Sequence, residues 1–160
     1  MDRIIGTKKI AQVGYIVKDI ETSKKIWAAF LCVEEPPTVA CGDYTITQTT
    51  YKGKPAPKAN SLLTFFDMTD GIQIELIQPN EYPSTWRDFL DTKGEGMHHI
   101  AFQVDNSEKV IAAAKEFGIE VVQQGTYGDG SGKYTYLEGS EKLKCVVELL
   151  ESFEPIKKTV

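Results

Sequence analysis

HHIAFQVDNSE (98–108) restates AQVGYIVKDIE (11–21) without a gap, and that repetition decides the fold. Val13 falls on Ile100, Gly14 on Ala101, Tyr15 on Phe102, Val17 on Val104 and Glu21 on Glu108. Each string opens as a strand and runs into a helix. In the first, Ala11, Val13, Tyr15 and Val17 share one face, leaving Gln12, Gly14 and Ile16 on the other. In the second, Ile100, Phe102 and Val104 form the apolar face, opposite His99, Ala101 and Gln103. A second echo pairs IQIELI (72–77) with CVVELL (145–150). Each copy therefore reads as a β-α-β-β-β unit, placing one metal-capable side chain in its opening strand and one glutamate in its closing strand.

Working outward, Asp19 stands as a helix N-cap, with Ile20, Trp27, Phe30 and Leu31 on one helical stripe ending near Pro36. DYTITQTTY (43–51) is β-branched and aromatic and reads as a strand, and GKPAPKAN (53–60) as an exposed loop. SLLTFFDM, the turn Thr69-Asp70-Gly71 and IQIELIQP make a hairpin. A linking helix over about 84–92, capped by Ser84, joins modules spanning 10–80 and 97–151. In the second module SEKVIAAAKEFG is a helix closed by Gly118, IEVVQQ a strand, GTYGDGSG a mobile loop, and KYTYLE with LKCVVELLE the last hairpin. The first module is the longer, and its excess falls in the proline-bearing stretch before its third strand.

Length and composition fit one domain over 1–160. A chain of 160 residues buries about 70% of its extended surface on folding, enough for a core without staples. The formal charge of −5, from 23 acids against 18 bases, argues against nucleic acid or an anionic membrane as partner. No apolar run reaches a membrane span, and MDRIIGTKKIAQ (1–12) has no apolar signal segment. Cys32, Cys41 and Cys145 show neither metal nor redox spacing, so reduced thiols and a cytoplasmic setting are expected.

Strand parity tests whether the chemistry-bearing residues converge. Gln73, Glu75 and Ile77 lie opposite the apolar Ile72, Ile74 and Leu76, so Gln12, Glu75 and His99 all face away from the helices. Glu148 fits less cleanly, because Val146 and Leu150 share its face. Gly14 and Ala101 leave room beside Gln12 and His99. Two glutamates facing one another across a narrow cleft repel, and a divalent cation removes that penalty. One imidazole, two carboxylates and one amide oxygen suit Zn, Ni, Co, Mn or Mg, with positions left for substrate. His98 has the opposite parity and is expected to be structural or to support a ligand.

The residues quoted resemble the vicinal oxygen chelate superfamily, the glyoxalase-like metalloenzymes. QVGYIVKDIETSKKIW is similar to that superfamily's opening motif, and GEGMHHIAFQVDN and IQIELIQP are similar to stretches of methylmalonyl-CoA epimerases; the resemblance covers 10–151. It implies an α+β fold in which two tandem βαβββ modules form a curved, mostly antiparallel eight-stranded sheet around a metal cleft. The superfamily's four ligands fall on Gln12, Glu75, His99 and Glu148. Epimerases usually carry His where this chain has Gln12, whereas Gln followed by Glu, His and Glu is a glyoxalase I ligand set.

The resemblance implies one divalent ion (Zn, Ni, Co or Mn), a homodimer, and a small substrate: a thioester, a hemithioacetal or a hydroxy-keto acid. The implied reaction is that of a glyoxalase-like enzyme related to lactoylglutathione lyase, a proton transfer next to a carbonyl through an enediolate or enolate. Glu148 is the expected base, with Glu75 the alternative by symmetry. A methylmalonyl-CoA epimerase-like racemase is the first alternative, although the second acid expected there has only Gln48, Thr47 or Thr64 to supply it. A metal-free small-molecule binding or resistance protein is the second. Gln12 stands where an extradiol dioxygenase needs histidine, which argues against iron chemistry. Tyr44, Tyr134 and Arg87 are candidates for the substrate's distal part.

Overall fold

A computed structural model describes residues 4–153; the MDR start and the EPIKKTV end lie outside the described residues. The elements are β1 (Ile10–Ile16), α1 (Ile20–Leu31), β2 (Val39–Ala40), α2 (Tyr44–Thr47), β3 (Thr50–Tyr51), β4 (Lys54–Pro55), β5 (Ser61–Asp67), β6 (Gln73–Pro79), α3 (Thr85–Lys93), β7 (Gly96–Gln103), α4 (Ser107–Glu116), β8 (Val121–Thr126), β9 (Gly132–Leu137) and β10 (Val146–Ser152). They form one curled sheet in the order β2-β5-β6-β1-β7-β10-β9-β8-β3-β4. At its centre β1 and β7 run antiparallel, flanked by β6 parallel to β1 and β10 parallel to β7. The order outward from that seam is the same on both sides, so the two repeats meet back to back within a single chain.

Local chemistry starts and stops the helices as the sequence suggests. The Asp19 carboxylate accepts from Thr22 N, the Ser84 hydroxyl oxygen from Arg87 N and the Asn106 amide oxygen from Lys109 N; each such cap contributes about 1 kcal/mol. Helix α1 seats on the outer face of the first repeat against Val17, Phe66 and Leu76, and α4 covers Val104, Val147 and Leu149 in the second. Phe30 is not on the buried stripe: it is 80% exposed, and the inward line is Ile20, Lys24 and Ala28. No described helix is long and apolar enough to cross a membrane.

The sheet has ten strands rather than eight, and the difference comes from 43–60. DYTITQTTY does not form one strand. The Asp43 carboxylate accepts from Thr45 N and starts the single helical turn of α2, which Gln48 ends in the left-handed region (φ 46°). Capping chemistry overrides β propensity here. The chain then crosses to the far sheet edge, where β3 pairs with β8 and with β4, inside the stretch that reads as an exposed loop. Cys41–Tyr51 thus joins the two edges of the curled sheet. A methyl built on Gly128 would stand 2.4 Å from the Cys41 carbonyl oxygen, so the two loops touch backbone to backbone.

On the inner face, Trp86 of α3 plugs one end of the trough. It packs with Ile16, Ile77, Tyr134, Tyr136 and Val146. Leu150 packs against the same cluster. Val146 and Leu150 therefore line the trough beside Glu148, which removes the apparent misfit of that glutamate.

Candidate metal centre

Four strands bring Gln12, Glu75, His99 and Glu148 to one point on the inner face. Parallel pairing sets Gly14 beside Glu75 and Ala101 beside Glu148, while antiparallel pairing sets Gly14 beside His99 and Gln12 beside Ala101. All four side chains are buried, at 5%, 5%, 0% and 3% exposure. His99 Nε2 lies 3.0 Å from Glu148 Oε2 and 3.3 Å from Glu75 Oε2. Neither contact has hydrogen-bond alignment, so Nε2 is a fully buried ring nitrogen without a hydrogen-bond partner. Glu75, His99 and Glu148 offer ligand atoms within 4.8 Å of one another.

The close pairing of Gly14 with His99 explains the glycine. The imidazole lies over the Gly14 Cα, where an added methyl would meet Cε1 at 1.9 Å. At the equivalent place in the second repeat the residue is Ala101, facing the longer and more flexible Gln12.

The sense of the Gln12 amide follows from its neighbours. The Asp67 carboxylate can only accept, so Gln73 donates Nε2 to it at 2.7 Å and turns Oε1 toward Gln12. Gln12 Nε2 donates to that oxygen at 3.2 Å. Gln12 Oε1 then faces Glu148 Oε2 and Glu75 Oε2 at 3.1 and 3.3 Å. Reversing the amide would bring its NH2 to both carboxylates but would oppose two oxygens at Gln73. Three acceptor oxygens and an unpartnered imidazole nitrogen around one buried point repel one another without a cation and are satisfied by one. The donor set therefore fits a divalent ion of hard to borderline character.

His98 corrects the parity argument. Gly14 pairs with His99 but Tyr15 pairs with Met97, so His98 is the extra residue of a bulge in β7. The bulge turns it inward beside His99, with Nδ1 of the two rings 3.1 Å apart. For His99 to offer the Nε2 lone pair, its proton must sit on Nδ1 and be donated to His98 Nδ1. His98 then holds its own proton on Nε2 and donates it to Thr85 Oγ1, at 3.2 Å. Burial, then the charge of His99, holds the His98 pKa well below the ordinary value, which keeps Nδ1 an acceptor.

The electrostatics are those of a tightly coupled cluster. Burial raises the Glu75 pKa. Burial alone would lower that of His99, but Glu148 and then Glu75 overcome it and push it up to about 10. A proton on His99 is thus what balances the carboxylates when no cation does. Tyr136, whose ring lies 5.2 Å from that of His99, accepts from Trp86 Nε1 at 3.1 Å, and burial keeps its phenol protonated.

Above the quartet opens a cavity of about 600 Å³ walled by Leu63, Phe65, Tyr127, Tyr134, Tyr136 and Leu150. A hollow of about 760 Å³ lies between Ile4–Thr7 and α4, away from these groups. Of the residues proposed for substrate contact, Tyr134 lines the cavity. Tyr44 and Arg87 do not; Arg87 is ion-paired with Asp91 on α3. Gln48 is exposed and donates to the Tyr44 carbonyl at 2.9 Å, and Thr64 is buried against Thr38, so neither supplies a group to the cleft. Asp129 lines the cavity instead, from the other repeat. Sequence reasoning missed Asp129, Asp67 and Trp86; Gln73 was within its reach, since it shares the parity of Glu75.

Comparison with known proteins agrees with the fold. Residues 11–136 match the family described as Glyoxalase/Bleomycin resistance protein/Dioxygenase superfamily. The protein YqjC of Bacillus subtilis, described as uncharacterized, is 28% identical over 87 residues, 54% of this chain and 62% of that one, so the match spans less than two thirds of that relative. Among solved structures, the hypothetical protein BH1468 of Bacillus halodurans superposes with a TM-score of 0.65 at 21% identity, covering 92% of this chain and 96% of that one. Methylmalonyl-CoA epimerase from Mycobacterium tuberculosis gives 0.64 at 17% identity, covering 95% and 91%. A Streptomyces coelicolor methylmalonyl-CoA epimerase variant in complex with 2-nitronate-propionyl-CoA gives 0.63 at 20%, covering 91% and 98%. At these identities the likeness is one of fold.

Proposed function

Because the chain belongs to the Glyoxalase/Bleomycin resistance protein/Dioxygenase superfamily, we propose that it is a divalent-metal-dependent, glyoxalase-like enzyme that moves a proton next to a carbonyl. One observation carries the reading. A fully buried imidazole nitrogen without a hydrogen bond lies 3.0 and 3.3 Å from two buried carboxylates at the floor of a substrate-sized cavity. Gln12, Glu75, His99 and Glu148 would hold the ion, which supplies positive charge to the oxygens of a bound carbonyl compound.

The chain's own residues supply the rest. Each glutamate turns Oε2 toward His99, leaving the second oxygen of the same carboxylate to take a proton from carbon. Glu148 is the base in this reading, and Glu75 its counterpart on the other side of the quartet. The apolar walls and Trp86 keep bulk water from the reacting carbon. His98 and Gln73 hold His99 and Gln12 in the orientation that points both into the cleft. Proton transfer of this kind is common to glyoxalase-like and epimerase-like chemistry.

Metal analysis of protein purified without chelators, followed by loading with Zn, Ni, Co and Mn in turn, tests the first part. One ion per chain is expected, and its loss in His99→Ala. Glu148→Gln should keep the fold and lose solvent-hydrogen exchange on any accepted substrate by more than about 100-fold. Wild-type protein that takes up none of the four ions would favour a metal-free binding protein instead.

A further inference from the structure

Resting on that reading, we infer that the cleft takes a compact, uncharged hydroxycarbonyl or dicarbonyl compound with an aromatic or branched apolar body, rather than an acyl-CoA or a glutathione adduct. Three features of the cavity carry this. The charged side chains that line it, Glu75, Glu148 and Asp129, are all carboxylates. One divalent ion offsets Glu75 and Glu148, which leaves Asp129, exposed at the mouth and accepting from Ser131, as the charge a substrate meets on entry. Coenzyme A brings several phosphate charges and glutathione two carboxylates against one ammonium, so both are net anions entering a mouth that carries an acid. The remaining wall is apolar and aromatic, with Leu63 and Phe65 from one repeat facing Tyr127, Tyr134 and Leu150 from the other.

The third feature is shape. Cys41–Tyr51 bridges the two edges of the curled sheet, with Thr50 and Tyr51 paired to Gln124 and Gln123. A methyl built on Gly42 would lie 2.7 Å from the Gly128 Cα, so no channel for a long tail passes between these loops. Trp86 packs in the same inner cluster as Cys41 and Tyr51, so that end of the trough is filled. What remains is a cup of about 600 Å³, which matches a substrate of roughly ten to fifteen heavy atoms.

The test uses metal-loaded full-length protein in deuterium oxide with four probes, blanked against metal-free protein. The probes are phenacyl alcohol (uncharged, phenyl body), dihydroxyacetone (uncharged, no apolar body), methylmalonyl-CoA, and the hemithioacetal of methylglyoxal with glutathione. In each turnover the C–H bond next to the carbonyl breaks, its electron pair moves into that carbonyl, and the proton passes to Glu148, which exchanges it with solvent and returns deuterium. Deuterium incorporation is followed by NMR, and binding by the change in tryptophan fluorescence, in which Trp86 lines the cavity and Trp27, packed with α1 on the outer face, supplies a constant background. The expected result is a kcat/KM for phenacyl alcohol more than about tenfold above those of both charged probes. Equal or faster exchange of either charged probe would overturn the substrate inference and leave the proton-transfer reading standing. Should the loaded protein exchange none of the four, that reading fails, and the fluorescence titration decides the occupant: tighter binding of phenacyl alcohol supports the inference, and equal or tighter binding of a charged probe refutes it.

Discussion

Gly14→Ala is the sharpest perturbation the structure offers, because it displaces a member of the quartet while leaving all four residues unsubstituted. The new methyl would stand 1.9 Å from His99 Cε1, 2.4 Å from Nδ1 and 2.5 Å from Nε2. Ordinary carbon contacts lie at about 3.5 Å, so the ring must move by about 1.5 Å or the backbone of β1 must part from β7. The ring has little room to move: His98 and Tyr136 lie at centroid distances of 5.3 and 5.2 Å from it. A shift of that size exceeds the tolerance of a coordinating ligand, which is about 0.2 Å in bond length. We expect the affinity for Zn or Mn to fall by more than about 100-fold, with an overpacking cost of about 1–3 kcal/mol in stability. Competition against a chromophoric chelator measures the first and urea unfolding of metal-free protein the second. Ala101→Gly is the matched control at the equivalent position of the other repeat and should leave metal affinity within about threefold, since no ring lies over that residue. Gly14→Ala protein that is folded and binds the ion as tightly as wild type would refute the placement of His99 and the reasoning built on it.

Four further outcomes follow from the same geometry. His98→Phe removes the acceptor for His99 Nδ1–H and should weaken metal binding by about 10- to 100-fold, whereas His98→Asn, whose Oδ1 can stand where Nδ1 does, should recover much of it; equal affinities in the two variants would contradict the proton relay. Because the carboxylates push the His99 pKa up to about 10, binding of an ion near pH 7.5 should expel one proton, and affinity should rise with pH until about 10. Calorimetry in buffers of different ionisation enthalpy reads that proton, and its absence would count against a protonated His99. The sign for metal-free protein is the reverse: a raised histidine pKa contributes stability fully below about 6.5, lost as pH climbs through about 10, so its melting temperature should fall across that window. Burial, followed by the charge of Glu75, pushes the Cys41 thiol up to about 12, which leaves a thiolate fraction near ~0.01% at pH 8. Alkylation at that pH should therefore mark the exposed Cys32 long before the half-buried Cys41, and comparable rates by mass spectrometry would show that the Cys41 thiol does not sit in the cavity wall.

Much of the fold is legible in the chain because its periodicities are strong and its caps are local. Strand alternation in Gln12–Ile16 and His99–Gln103, the Asp19 and Ser84 caps, and the Thr69-Asp70-Gly71 turn each depend on residues within a few positions of one another. The segment 43–51 misleads for the same reason. Its β-branched composition speaks for a strand, but Asp43 captures a helical turn, and the pairing partner that organises Thr50 and Tyr51 lies some seventy residues away in β8. His98 misleads because parity counts residues, and a single bulge in β7 shifts the count.

The division between chain and fold runs along that line. By itself the sequence determined the internal repeat and the two faces of each opening strand and of the first closing strand, and hence that Gln12, Glu75 and His99 share an inner surface, with Glu148 joined to them by the repeat alone, since side-chain alternation is a property of one strand at a time. Only the tertiary structure decided that the repeats meet within one chain, that His99 rather than His98 turns its free nitrogen to the carboxylates, that Asp67 and Gln73 set the sense of the Gln12 amide, and that acids and aromatic rings wall the cup above them. Those are contacts between residues far apart in the chain, made or denied by register, bulge and close backbone approach, and no local pattern encodes them.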